Sequence, residues 1–450
     1  MLYRKIEPII SQYFASDTDK VLVVTGARQI GKSYIIRYCA EKHFKTIVEI
    51  NLITDYEGDR LFENVRTTDD FYLALSAFTS KYLGDRTDTL IFLDEIQVYP
   101  NLLTMLKFLR EQGRYRYVAS GSLLGVTLRR SSSVPLGSID IIKMYPLDFE
   151  EFLIANDFSK DAIRSLREHF ENLTTIPEAI HNRVMGIYKR YLLVGGLPEA
   201  VNKFLETRDL NQVRAIQQTI SELYRIDAAK YDNEHSLKIS RIYSLITSNM
   251  ENKKKRLIFK DIENSKGKRA ADYEEEMEYL ISSGTALGVN AISNPKFPLS
   301  ETEHKNLIKL YYNDPGLFTA ALYHNNPAPV LNTEAGINLG SVYECAVACQ
   351  IAANDNNLYY YDNRSRGEVD FLFDDFDNLS VVPIEVKSGK DYKRHIAISR
   401  LVSTPDYAIC CAYVLSNSNE VGTSGKIHYI PIYLSLFFDN RLYKNGPVLI

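Results

Sequence analysis

The chain lacks any uninterrupted apolar run approaching the ~18 residues that a membrane-crossing helix needs. Its opening stretch, MLYRKIEPIISQYF, is amphipathic rather than signal-like. A cytoplasmic protein with no membrane partner is the expectation. A cysteine framework is also missing, since Cys39, Cys345, Cys349, Cys410 and Cys411 are odd in number and show no CxxC or Cys/His spacing. This argues against a disulfide scaffold and a structural zinc site, and leaves reduced, mostly buried thiols. Nor is there an excess of positive charge: the formal net charge of −4 argues against a protein that coats nucleic acid indiscriminately, while leaving room for a local basic patch. No internal repeat or low-complexity tract stands out.

What is present is a globular composition, 45% hydrophobic and 24% charged, on a chain of 450 residues that calls for several domains. From Val21 to about Leu153, apolar runs such as VLVVTG, TIVEIN, TLIFLDE and YRYVASGS alternate with helical stretches, the mark of a parallel sheet covered on both faces. Residues 1–155 are therefore expected to form an α/β domain and 156–234 a helical lid broken at LLVGGLPEAV. Residues 235–306 read as a small winged-helix-like module, and strands return in 307–450, after a Pro- and Asn-rich loop at HNNPAPVLNTEAGIN.

Gly26 to Ser33, GARQIGKS, fits G-x-x-x-x-G-K-[ST] between an apolar strand and a helix-compatible run. Phosphate needs converging backbone N–H donors at a helix N-terminus, which the loop Gly26, Ala27, Arg28, Gln29, Ile30 and Gly31 can supply. Lys32 would reach the β- and γ-phosphates and the Ser33 hydroxyl would ligate Mg2+. Independently, Leu90 to Leu93 end in Asp94 and Glu95, two carboxylates at the C-terminal edge of a buried strand. Asp94 would hold hydrated magnesium and Glu95 would orient and deprotonate the attacking water. Ser120, at the end of VASGS, reads either as a sensor of the γ-phosphate or as ordinary strand-ending turn chemistry.

Taken together and in order, GARQIGKS, LIFLDEIQ, SGSLLG, YPLDFEEFL and LLVGGLPEAV resemble the prokaryotic AAA+-type P-loop ATPases fused to a C-terminal domain of unknown function, over nearly the whole chain. The resemblance implies ATP and Mg2+ as cofactors. Many members carry a Gly-Arg pair just before YPL; Gly137 and Ser138 stand there in this chain, and Arg129 and Arg130 are the nearest substitutes, read as a solvated basic turn.

Eight cations between Lys253 and Arg269, namely Lys253, Lys254, Lys255, Arg256, Lys260, Lys266, Lys268 and Arg269, read either as a DNA-backbone footprint or as a solvated face. In the last region GEVDFLF and VVPIEVKS read as a hairpin in which alternate residues share a face, so that Asp370 can meet Glu385 and Lys387. Two carboxylates and a lysine on one face suit metal-assisted phosphodiester hydrolysis, or else are charges on an open strand face. The D…(D/E)-x-K arrangement resembles the PD-(D/E)XK nuclease fold, which implies Asp370, Glu385 and Lys387 as catalytic residues and, with Glu344 from the preceding helix, a metal site. The expected fold class is thus α/β throughout: a P-loop NTPase sheet domain, a helical and winged-helix-like middle, and an α/β nuclease-like end. Two functions remain open, an ATPase controlling a Mg2+-dependent nuclease on DNA and an ATP-driven switch whose C-terminal domain binds without cleaving. Oligomeric state is not legible.

Overall fold

The apolar runs of the first third become five parallel strands, β1 (Val21–Thr25), β2 (Thr46–Asn51), β3 (Thr89–Asp94), β4 (Arg116–Gly121) and β5 (Ile139–Lys143), in the order β2-β3-β4-β1-β5. The computed structural model describes residues 1–124, 137–229, 235–265, 267–332, 339–354, 356–389 and 392–438. They gather into two units, one built on Tyr3–Tyr145 with Ile281–Thr285, the other on Pro146–Leu280 with Ala286–Ile450. In the first unit β3 and β4 are buried at every position, because helices cover both faces of a parallel sheet. Val23, Ile91 and Leu93 pack there with Phe71, Leu102 and Leu106. The edge strand β5 is absent from the sequence expectation, since IDIIK is short, is interrupted by Asp140, buries only Ile139 and so lacks a continuous apolar signal.

The second unit opens at Pro146, so helix Phe149–Ala155 falls in it and not in the domain expected to end at residue 155; the expected helices follow as far as Ser236–Glu251. It then builds an eight-stranded sheet from β6 (Ala286–Ile292), β7 (Glu303–Tyr312), β8 (Tyr359–Asn363), β9 (Gly367–Asp375), β10 (Ser380–Val386), β11 (Ala412–Ser416), β12 (Gly422–Ser424) and β13 (Ile427–Pro431), ordered β12-β13-β11-β10-β9-β8-β6-β7. The helices and hairpin expected of a winged helix occur in that order, but β6 pairs in parallel with β8, so the hairpin is the end of the large sheet rather than a free wing. The boundary expected at residue 306 consequently falls inside β7. Within HNNPAPVLNTEAGIN, Ala328–Asn332 is helical, and 333–338 lie outside the described residues.

Strands β9 and β10 form the anticipated hairpin, with Ile384 opposite Phe371 and the Asp375 carboxylate accepting from Asp377 and Asn378 in the turn. The β10 strand lies inside the sheet and is buried at every position. Helix Gly340–Ala353 packs on it with nearly every residue buried, as an all-round apolar helix of small side chains should. Helix Ile396–Val402 packs on the same hairpin and contributes Ile398 and Leu401 to a core with Val369, Leu372 and Val381. Of the five free cysteines, Cys39, Cys345 and Cys349 are buried.

LLVGGLPEAV is a structural node of this unit. Helix Glu178–Val194 ends there, and its last carbonyls are taken by side chains: Arg214 donates to Leu193 O at 3.1 Å and Gln217 to Val194 O at 2.9 Å. The fully buried Asp314 carboxylate accepts from Gly196 N at 2.5 Å and, as N-cap of the next helix, from Leu317 N at 2.9 Å. Gly195 has φ 74°, and a Cβ there would stand 2.1 Å from Asp314 Oδ1, which accounts for the glycine. Burial lifts the Asp314 carboxyl to about 6, against the pull of those N–H bonds and of Arg214. Because the raised value favours the protonated folded state, this group's stabilising contribution is full below the ordinary carboxylate range and is lost as pH rises through about 6. Asp314→Asn should destabilise the unit by about 1–3 kcal/mol, since one N–H then faces an amide NH2. The gap between wild type and variant should shrink by about 1 kcal/mol from pH 5 to pH 7 in urea unfolding. A gap independent of pH contradicts the assignment.

Candidate functional site

The first site is built at the end of β1. Gly26 has φ 142° and a Cβ there would meet Met144 O at 2.2 Å, so only glycine lets the loop turn at this point. Gln29 (φ 64°) and Gly31 (φ 90°) carry the chain into helix Lys32–Ala40, leaving the loop N–H groups at its N-terminus. The Lys32 ammonium is folded over the loop, donating to Gly26 O at 3.0 Å and Ala27 O at 2.8 Å. Burial holds its pKa below the usual lysine range, although Glu95 and Asp94 oppose this.

Although β4 separates β1 from β3, Ser33 Oγ reaches Asp94 Oδ2 at 2.8 Å, and Ser120 Oγ donates to the other oxygen of the same carboxylate. A hydroxyl and a buried carboxylate side by side are the hard oxygen donors that Mg2+ takes, so these residues fit that ion. Burial raises the Asp94 pKa, against the pull of both serines. Glu95 follows in a left-handed conformation (φ 58°), which swings its side chain away from the strand face. Its Oε2 accepts from Gln97 Nε2 at 2.6 Å and from Ser122 Oγ at 3.0 Å. Gln97 and Ser122, as holders of Glu95, were not anticipated from the sequence. The proximity of Ser122 depends on the register of β3 with β4, which no local pattern reveals, whereas Gln97 stands only two residues beyond Glu95. Ser138 receives a hydrogen bond from Arg110 at 2.9 Å, while Arg129 and Arg130 lie outside the described residues.

The second site lies in the other unit, around β10. Asp370 stands one step beyond the last hairpin pair and accepts from Val386 N at 2.8 Å. Glu385 receives the Lys387 ammonium at 2.6 Å, so the expected strand-face pairing of these two residues is present. Glu344 faces them from its helix, close enough that its charge and that of Asp370 act on Glu385. Burial, reinforced by Asp370, pushes Glu385 up to about 8 and Glu344 up to about 6. This is a buried cluster and not an open strand face.

Two further cations reach it, from the segment read either as a DNA-backbone footprint or as a solvated face. Lys255 pairs with Glu344, and Arg256 pairs with Asp362 at 2.6 Å and with Glu368 at 3.6 Å. The inward turn of Lys255 and Arg256 fits neither reading at these two residues. Lys268 pairs with Glu263 at 3.7 Å, Lys266 lies outside the described residues, and Lys253, Lys254, Lys260 and Arg269 remain exposed. Lys309, wholly buried in β7, contacts Glu368 at 2.5 Å as an ion pair without hydrogen-bond alignment. The signal for it in the sequence is a lone lysine in the apolar run NLIKLYY, but its partner is set by strand pairing at long range. Tyr311 OH adds a bond to Glu344 Oε2 at 3.3 Å.

Among the described residues, no group of three or more His, Cys, Asp or Glu is arranged to hold a metal ion. The expected trio Glu344, Asp370 and Glu385 is therefore close in charge but, in this arrangement, does not fit a bound ion. Lysine ammonium groups stand against two of the three.

Residues 18–153 match the family described as AAA domain. Residues 185–328 match a domain of unknown function, DUF8612, and residues 339–435 another, DUF4143. The first stretch is an AAA-type P-loop ATPase domain. Among solved structures, the Walker-type ATPase paby2304 of Pyrococcus abyssi is similar at 14% identity and TM-score 0.44, covering 72% of this chain and 96% of that one. The Orc1 protein of Aeropyrum pernix, solved in complex with DNA, is similar at 13% identity and TM-score 0.33, over 72% of this chain and 92% of that one. A single-substitution variant of RuvB from Thermotoga maritima is similar at 16% identity and TM-score 0.29, over 63% of this chain and 89% of that one. Likenesses this loose say nothing about ligand or activity. No curated protein sequence matches the chain.

Lys255 has φ 50°, a left-handed backbone that costs a non-glycine residue about 1–2 kcal/mol and must be held by its surroundings. Glu344→Gln, which strands Lys255 in a mostly buried position, should destabilise this unit by about 3–5 kcal/mol in thermal or urea unfolding. Lys255→Met added to it should recover most of the loss. A single variant as stable as wild type would show that the pair holds nothing.

Proposed function

We propose that the chain is an ATP-hydrolysing switch whose nucleotide cycle controls the acid–lysine cluster of the second unit. The observation that carries the hydrolytic half is the convergence of Lys32, Ser33, Asp94 and Ser120 at one strand edge, with Glu95 beside them. In that reading the loop N–H groups and Lys32 bind the β- and γ-phosphates. Ser33 and Asp94 hold Mg2+, which supplies charge neutralisation of the phosphates when bound. Glu95, released from Ser122 and Gln97, orients and deprotonates the attacking water, and Ser120 fixes Asp94.

For the second unit, the Lys255–Glu344 pair favours binding without cleavage in the conformation described, with DNA as the proposed partner. Cleavage is the second reading, favoured by the convergence of Asp370, Glu385 and Lys387, and it requires the carboxylates to be freed. Retention in the cytoplasm is the setting this function implies, and among the described residues no helix is long and apolar enough to cross a membrane.

Lys32→Ala should abolish ATP binding by titration calorimetry, whereas Glu95→Gln should keep binding and lower the turnover of ATP by roughly 10²–10⁴-fold. Unchanged ATP affinity in Lys32→Ala would refute the phosphate-loop role, and unchanged turnover in Glu95→Gln would refute the base.

A further inference from the structure

Two short stretches of the second unit carry cations with no acid among them, NRSRG at 363–367 and YKRHIAISRLVST at 392–404, in a chain whose formal net charge is −4. The fold lays them side by side. Arg366 donates to Thr404 Oγ1 at 2.9 Å and lies over the Tyr407 ring, and a Cβ on Gly367 would stand 3.1 Å from the Ala397 Cβ. Arg366 thereby clamps the turn against helix Ile396–Val402. Arg364, Arg394 and Arg400 stay exposed, and none of the three has a carboxylate partner among the described residues. Arg400 reaches only Ser365 O, at 3.4 Å, and Lys393 beside them is shared with Glu420 at 2.7 Å. Lys393, Arg394, His395, Ser399 and Arg400 line an open groove of about 600 Å³. His395 is fixed in it by Ser399 Oγ at 2.9 Å and Tyr429 OH at 2.6 Å. Burial, helped by the charge of Lys387, holds that imidazole below the usual histidine range, so the groove lies beside the lysine of the acid cluster.

We propose that this face, helix Ile396–Val402 with the 363–367 turn, is where the second unit docks the sugar–phosphate backbone of duplex DNA. The inference rests on the DNA reading of that unit, and it moves the contact from Lys253–Arg269 to Arg364, Arg394 and Arg400. The earlier stretch spends Lys255, Arg256 and Lys268 on acids of the same chain, whereas the three arginines here answer none. Guanidinium forks match phosphate oxygens two at a time and shed water more readily than ammonium groups do. Arginines brought together from two segments call for several anions at once, which a polymer of phosphates supplies and a single phosphate does not. Ile396 is the one apolar side chain lining the groove, and no Phe, Tyr or Trp lines it among the described residues. Unstacked bases of a single strand therefore find no platform, and the contact is to backbone, without sequence preference.

The test is fluorescence anisotropy of a short labelled DNA duplex with the full-length chain, without nucleotide, over a series of salt concentrations. Arg394→Gln/Arg400→Gln should bind roughly 10- to 100-fold more weakly than wild type near about 0.1 M salt, with a log–log salt slope shallower by about 2. Arg394→Lys/Arg400→Lys should keep the slope, because the charge is kept, and Lys253→Gln/Lys254→Gln should bind like wild type. Should the double glutamine variant not fold, Arg394→Gln alone decides, since Arg394 makes no hydrogen bond among the described residues; its slope should be shallower by about 1. Unchanged affinity and slope in the arginine variants, with wild type binding the duplex, would overturn this surface and leave the DNA reading standing. Binding lost in Lys253→Gln/Lys254→Gln instead would return the contact to the earlier stretch and overturn the proposal as well. A wild type that binds no duplex would remove the DNA reading and the proposal with it. Poly-glutamate that displaces the duplex at equal charge concentration would overturn the proposal by assigning the face to an acidic protein segment.

Discussion

The second unit is organised around one electrostatic constraint: a strand buried on both faces carries a glutamate. Burying an isolated carboxylate costs several kcal/mol even after relaxation, and Asp370 and Glu344 beside Glu385 raise that cost. The fold answers with cations drawn from distant parts of the chain. Lys387 comes from just past the same strand, Lys309 from the far edge of the sheet, and Lys255 and Arg256 from the irregular stretch after helix Ser236–Glu251. This is why the region expected to stand alone as a winged helix cannot be detached from the C-terminal sheet. Its hairpin completes the sheet, and two of its basic residues pair with acids beside it, Lys255 with Glu344 and Arg256 with Asp362 and Glu368. Ion pairs of this kind add little net stability over an apolar core, but breaking one leaves a buried charge, so they fix which segments must be seated together.

The first unit applies the same economy on a smaller scale. The Lys32 ammonium is satisfied by two loop carbonyls, partners weaker than the charged oxygens of a phosphate and therefore exchangeable for them. Asp94 accepts from Ser33 and Ser120, and Glu95 from Gln97 and Ser122, so both carboxylates are held by neutral donors that leave their charge intact. In both units the chemistry-bearing side chains are placed by strand ends and restrained by neighbours from other strands.

Much of the first site was legible in the sequence because its parts are local. The glycines, Lys32, Ser33 and the Asp94–Glu95 pair each follow from a short pattern with its flanking strand. The hairpin that aligns Asp370 with Glu385 was legible for the same reason, since side-chain alternation over two adjacent runs fixes the shared face. What escaped was set by pairing across long separations. Lys255 meets Glu344 89 positions away, and no charge pattern around 253–256 separates an inward lysine from its two exposed neighbours. The buried environment of Glu385 likewise depends on β11 pairing with β10, and on a helix whose apolar residues, not its one glutamate, dominate its pattern.

If nucleotide chemistry controls the acid–lysine cluster, the segment that carries Lys255 must respond to a nucleotide bound at the first unit's glycine loop. The most direct measurement is hydrogen–deuterium exchange across residues 252–259 in Glu95→Gln, comparing the protein alone with the same protein saturated with Mg-ATP. The account predicts faster exchange of the Lys255 and Leu257 amides in the ATP-bound state, as their bonds to Asn252 O and Ile308 O open. Identical exchange in both states, with ATP shown to be bound, would contradict it.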